Sequence, residues 1–192
     1  MQRTLTALMT EVNHVLLPTI LNLDRYEQVL VNGRIKGSES AIDSLRRRQE
    51  MGRFDVDRGE TYSLTTLPDL VGIRVLAFPQ RRLEEVRVVL EGEPRLSAWS
   101  SDHIESRDAV QPPVAFKYQG FWNTDDPFRS ELQIVSVLIG LFWEVEHSAI
   151  YKPTPRLQGA ASSMAMKDRN DAVLRALQQF EQEFDRQIEV GR

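Results

Sequence analysis

Cysteine is absent from the 192 residues, which excludes a disulfide framework, a thiol nucleophile and cysteine-ligated zinc together. Histidine is scarce. His14, His103 and His147 are scattered along the chain, so a His-rich metal site is not expected and any metal should be a hard cation held by carboxylates. Positive charge is not in excess: 24 Lys and Arg face 28 Asp and Glu, for a net charge of -4. No global basic field recruits nucleic acid, and only local patches are left for that role. No apolar run is long enough to span a bilayer. The N-terminal apolar residues are interrupted by Arg3, Glu11, Asn13 and His14, with no small-residue cleavage pattern behind them. The expectation is a cytoplasmic protein without a membrane partner.

What is present is ordinary globular material, 41% hydrophobic and 27% charged, enough for one well-filled domain or a domain with helical extensions. The chain is organised around Ser130 to Lys152. Residues 130–135 alternate polar and apolar, which puts Glu131 and Gln133 on one face of a strand and Leu132 and Ile134 on the other. From Val137 the period becomes helical. Leu138, Leu141, Phe142 and Val145 form one stripe, and Trp143, Glu146, His147 and Tyr151 an adjoining one. Two readings fit. One is half of an active site, with a carboxylate aimed at a cleft; the other is an edge strand with solvated polar residues, followed by an amphipathic core helix.

Upstream, residues 4–23 place Leu5, Leu8, Met9, Val12, Leu16 and Ile20 on one helical face, with Pro18 set to kink or end the helix. Tyr26 to Ile35 reads as a strand. The turn-rich stretch that follows carries Arg34 and Lys36 on alternate residues and opens a helix with Ile42, Leu45 and Arg46-Arg47-Arg48. Ser40 with Asp43 fits a capping box. In combination, two cations just before a helix N-terminus fit either a phosphate cradle or a plain basic loop, and no Walker A loop is present. Pro68 to Phe78 is a near-continuous apolar run, the pattern of a strand buried on both faces. Asp69 at its entrance and Arg74 inside it then need partners, either each other or an anionic ligand with a cation. Residues 80–91 read as a covering helix and 92–113 as an irregular loop. Residues 114–122, with Phe116 and Tyr118 on one face, and 129–135 read as a hairpin. The last helix, over 164–190, lines up Val173, Leu177, Phe180, Phe184 and Ile188 at roughly heptad spacing. That seam could face its own domain or a second subunit.

Taken in order, Gly33-Arg34-x-Lys36-x-x-x-Ser40, Asp69-Leu-x-Gly-x-Arg74, Glu131-Leu-Gln133-Ile and Trp143-x-x-Glu146-His147-x-x-x-Tyr151-Lys152 resemble the synthetase domain of the RelA/SpoT family, the alarmone pyrophosphokinases. The resemblance covers residues 25–152. It implies an α+β, nucleotidyltransferase-like fold, a mixed sheet of about five strands flanked by helices, with an N-terminal helix over 1–24 and a C-terminal helical extension over 153–192. No His-Asp hydrolase motif precedes these segments, so the chain resembles a small, stand-alone synthetase.

The reaction so implied moves the β,γ-diphosphate of ATP to the 3′-hydroxyl of an acceptor, GTP or GDP in most of the family, and releases AMP. Arg34, Lys36 and Ser40 would hold the ATP phosphates, with Arg46 close by. Asp69 and Glu131 would bind Mg²⁺, and Arg74 would neutralise phosphate charge. Glu131 would complete the metal site or take the acceptor's proton, positioned by Gln133. His147, Tyr151 and Lys152 would shape the site from the helix. The family's Gly-Tyr-x-Ser-x-His motif, whose Tyr stacks on the acceptor guanine, falls on Ala115 to Gly120, where Phe116 keeps an aromatic but the Ser and His are missing. A usual basic residue is Ser44 here, and a usual Arg is Val135. The ATP half is better kept than the acceptor half. A toxin-type relative that modifies another acceptor such as the tRNA 3′ end, and a nucleotide-binding protein without catalysis, both fit that imbalance. A homo-oligomer through the C-terminal helix fits the seam.

Overall fold

A computed structural model of the chain describes residues 1–52, 63–104, 113–123, 125–147 and 163–190. In chain order these form α1 (Gln2–Leu21), β1 (Gln28–Ile35), α2 (Ser38–Glu50), β2 (Val71–Phe78), α3 (Gln80–Glu91), β3 (Ser100–Ile104), β4 (Ala115–Gly120), β5 (Ser130–Ser136), α4 (Val137–Glu146) and α5 (Met164–Val190). The sheet order is β1-β2-β5-β4-β3. Only β2 and β5 run parallel; the other neighbours are antiparallel. The expected α+β architecture with a mixed sheet is therefore present.

Two sequence readings are corrected here. β5 lies third of five strands, so it is central, and the edge-strand reading of Glu131 and Gln133 is excluded. β3 falls inside the segment expected to be an irregular loop. Its residues, Ser-Ser-Asp-His-Ile, show no apolar run because an edge strand needs little beyond backbone pairing, here with β4.

The two faces of the sheet are covered differently. On one, α1 and α3 bury Leu8, Leu16 and Val86 against Val75, Leu132 and Ile134. Each such side chain contributes about 1.5–3 kcal/mol on leaving water. Pro18 falls in the last turn of α1, which ends three residues later at Leu21. On the other face, α4 and α5 cover only the part around Leu76, Ala115 and Val135. The remainder of that face is polar.

α4 does not present the stripe its apolar spacing suggested. Leu141 and Val145 are 50% and 63% exposed, while Val137, Ile139 and Gly140 are buried. The reason is a close approach: a Cβ on Gly140 would lie 2.3 Å from Leu76 Cδ2, so the helix lies on the sheet along its glycine. Gly140→Ala is expected to lower stability by about 1–3 kcal/mol through overpacking against Leu76, measured as a shift in the urea midpoint at constant m.

α5 is rotated relative to the apolar seam. Leu174, Gln178 and Glu181 are buried, whereas Val173 and Phe180 are 43% and 53% exposed. Phe184 stacks on Phe78 and Tyr26 at 5.0 and 5.8 Å between ring centroids. The rotation is set by two carboxylates one turn apart. Glu181 accepts hydrogen bonds from the Ser136 hydroxyl and the Leu138 N–H at the start of α4. Asp185 accepts from the Arg81 N–H at the start of α3, at 2.9 Å. α5 thus supplies acceptors to two helix N-termini whose N–H groups have no intrahelical carbonyl. Burial pushes the Glu181 carboxyl up to about 7, with nearby Asp185 adding to the rise and the Ser136 and Leu138 donors opposing it.

Candidate active site

The polar face is built by strand register. Arg34 of β1, Gly72 of β2, Glu131 of β5 and Gln119 of β4 lie in one row across four strands. The next row holds Asn32, Arg74, Gln133 and Lys117. Because strand side chains alternate, all eight residues share one face. Residues 71–77 of β2 are otherwise apolar and buried on both sides, so Arg74 is the single charge that the strand sends into this face.

Two acid–cation groups result. The first sits where β1 hands over to α2. The Lys36 N–H donates to the Leu70 carbonyl at 2.9 Å, which carries the pairing one step past β1 and brings Lys36 beside Asp69. Lys36 Nζ donates to both carboxylate oxygens of Asp69, at 2.7 and 2.6 Å. Arg34 reaches toward the same group, with Nη2 at 3.9 Å from Oδ2. Its side chain lies across Gly72, where a Cβ would stand 3.2 Å from Arg34 Nε. Glycine leaves that path open.

The second group surrounds Glu131, which is only 5% exposed. Gln133 Nε2 donates to its Oε1 at 2.8 Å, and Gln119 Nε2 donates to its Oε2 at 2.8 Å. Lys117 Nζ lies 3.3 Å from Oε2. Gln133 in turn accepts from Arg74 Nε at 3.1 Å, and Arg74 Nη1 donates to Glu144 at 3.4 Å. Burial, and then the Arg34 cation, push the Arg74 guanidinium below its ordinary value, while Glu144 and Glu131 oppose them. The face therefore holds Arg34, Lys36, Arg74 and Lys117 against Asp69, Glu131 and Glu144. A partly desolvated set with one cation in excess is suited to an anionic ligand.

Of the residues singled out in the sequence, Arg34, Lys36, Asp69, Arg74, Glu131 and Gln133 are brought together. Ser40 stands in the first turn of α2, whose N-cap is Gly37 and not Ser40; its carbonyl accepts from Ser44 Oγ at 2.8 Å. Arg46 is exposed and pairs within the helix with Asp43 at 3.8 Å. His147 is exposed at the end of α4. Tyr151 and Lys152 lie outside the described residues. Phe116 is on the opposite face, paired in register with Ile134, packed on the core and covered by the Arg87 guanidinium at 5.3 Å from the ring centroid. An aromatic at that point of β4 belongs to the core because the two-residue period puts Lys117 and Gln119, not Phe116, beside Glu131.

Glu144, Lys117 and Gln119 are members of the cluster that motif reading missed. Glu144 had a signal: with Val137 and Gly140 it completes the 3, 4 spacing of one helical face. Glu146, a site neighbour in the active-site reading of the helix, instead accepts from Asn170 of α5.

No family model matches the chain, and no curated protein matches its sequence. Solved structures match over nearly its whole length. A GTP pyrophosphokinase family protein from Streptococcus pneumoniae superposes with a TM-score of 0.71 at 20% identity, covering 96% of this chain and 87% of that one. Small alarmone synthetase 1 from Bacillus subtilis bound to AMPCPP gives 0.68 at 15% identity, covering 99% and 93%. The same enzyme bound to its product pppGpp gives 0.69 at 14% identity, covering 97% and 93%. The fold is that of the small alarmone synthetases. The alarmone synthetase fold agrees with the order of the sequence motifs, and among the described residues no helix is long and apolar enough to cross a membrane.

Proposed function

We propose that the protein is an ATP-dependent 3′-pyrophosphokinase whose acceptor is a guanosine nucleotide, GTP or GDP. The observation that carries this reading is the pair of acid–cation groups on neighbouring strands, Lys36–Asp69–Arg34 and Arg74–Gln133–Glu131. Phosphoryl-type transfer needs little covalent help from a protein; it needs fixed positive charge, oriented carboxylates and two oxygens held in line.

In this reading Arg34, Lys36 and Arg74 bind the ATP phosphates, aided by the positive end of the α2 dipole. Lys36 exchanges Asp69 for phosphate oxygen, which releases the Asp69 carboxylate. Asp69 and Glu131 would then hold Mg²⁺. Their donor set is oxygen only, which fits a small hard cation completed by substrate phosphates and water. Bound there, it would neutralise charge that develops on the transferred phosphates. Glu131 accepts the proton of the acceptor hydroxyl as its oxygen bonds to the β-phosphorus of ATP. The bond from that phosphorus to the α-phosphate oxygen breaks, and AMP leaves.

The test is incubation with ATP labelled in the β- and γ-phosphates, Mg²⁺, and GDP, GTP or tRNA as acceptor. AMP release matched by label on GDP or GTP is the expected result. Label on tRNA alone would replace the guanosine reading with the RNA-modifying one. ATP binding with no labelled product on any acceptor would leave a nucleotide-binding protein and end the enzyme reading.

A further inference from the structure

Glu131 has two sides. Its Oε1 faces Gln133 and, through it, Arg74, toward β1 and β2 where Arg34 and Lys36 stand. Its Oε2 faces β4, where Lys117 and Gln119 stand. The three cations suited to a triphosphate thus lie on one side of the carboxylate, and Lys117 lies on the other. In-line transfer across Glu131 puts the donor over β1 and β2 and the acceptor over β4.

β4 offers the acceptor no aromatic. Phe116 and Tyr118 pair in register with Ile134 and Leu132, on the core face. Phe116 lies under Arg87, and Tyr118, 5% exposed, donates its hydroxyl to Glu91 at 2.7 Å. Turning either ring toward Glu131 would require a one-residue slip that also exposes the core residues of the strand. The residues β4 does send to that face are a cation and an amide.

We propose that Lys117 anchors the phosphate of the acceptor, with Gln119 bonding its sugar, so that the acceptor is selected as a 5′-phosphorylated ribose and not by a base stacked on β4. This rests on the transfer reading above and widens its acceptor: GDP is then one acceptor among the nucleoside phosphates. The same ribose and phosphate occur in a mononucleotide and at the 3′ end of an RNA. The bland role for Lys117, neutralising buried Glu131, is also open to test, because it would affect stability and not ligand choice.

The experiment is equilibrium binding by calorimetry in saturating AMPCPP, which occupies the donor side without transfer. GDP, ADP and CDP are expected to bind within about tenfold of one another. Guanosine is expected to bind about 10- to 100-fold more weakly than GDP, the worth of a charge-assisted contact. Lys117→Met should abolish that gap, and Lys117→Arg should restore most of it, with urea unfolding used to show that both variants are folded. A short RNA with a free 3′ end that competes with GDP and weakens equally in Lys117→Met would identify the RNA terminus as a source of the same group. The proposal is overturned if Lys117→Met binds GDP like the parent, or if guanosine binds as tightly as GDP while ADP and CDP do not bind. Lys117-dependent binding without any transfer would remove the transferase reading alone. Transfer with unchanged binding in Lys117→Met would remove this one alone.

Discussion

Glu131→Gln is expected to lower transfer to the acceptor by about 10²–10³-fold, equivalent to roughly 3–4 kcal/mol of barrier. The residue is 5% exposed and its carboxylate meets three donors, from Gln119, Gln133 and Lys117. Glutamine has the same shape; Gln119 can reverse its amide to meet the new NH2 while Gln133 keeps its bond from Arg74 and the part-exposed Lys117 turns toward solvent. The fold should therefore survive, and the loss should appear in the chemical step. Binding of AMPCPP without Mg²⁺ should be nearly unchanged, because the donor-side cations Arg34, Lys36 and Arg74 are untouched. The measurement is single-turnover AMP release beside AMPCPP affinity. A rate equal to that of the parent would show that Glu131 neither takes the proton nor holds a cation. Asp69→Asn is the companion case. It frees Lys36 from a carboxylate that engages it through both oxygens, so AMPCPP affinity measured without Mg²⁺ should hold or rise while the rate of transfer with Mg²⁺ falls.

Stability should fall as pH rises from about 4.5 to about 7, and Glu181 is the cause. Burial puts its carboxyl at about 7 in the folded chain, against an ordinary value of 4.5. An acid whose value is raised by folding binds more protons folded than unfolded. Its contribution is complete below 4.5 and is lost as pH climbs through 7. The size is roughly 3 kcal/mol across that window. Asp185, also raised by burial and held by the Arg81 N–H, acts in the same direction. Glu27 acts in a separate window. Burial works against its ionisation, but hydrogen bonds from Arg82, the Asp24 N–H and Arg81 prevail and hold it at about 2. Its contribution is lost only as pH falls from about 4.5 toward 2. Glu181→Gln keeps an acceptor for Ser136 and Leu138 and carries no charge, so it should flatten the profile between pH 4.5 and 7 and exceed the parent at pH 8. Urea unfolding at a series of pH values measures both. A slope retained in Glu181→Gln would assign it to another group.

The local order of the chain is legible in its sequence. Alternation over residues 130–135, the apolar run after Pro68 and the 3.6-residue spacing of α1 and α3 each reflect a period set by backbone geometry. The same periods placed Glu131 and Gln133 together, and the motif order placed Arg34, Lys36, Asp69 and Arg74 in their company. Only tertiary structure decided the rest. Phe116 became core because register with β5 assigns faces absolutely, and an aromatic looks the same in sequence whichever face it takes. Glu144 entered the site because a glycine set the line of contact of α4, which apolar spacing cannot reveal. α5 buries only part of its apolar seam because Glu181 and Asp185 meet helix N-termini more than 40 and 100 residues upstream. Lys117 acquired meaning only beside Glu131. Sequence determines periods and residue types; which charge faces which is decided by packing, since it depends on strand order and helix rotation that no local pattern encodes.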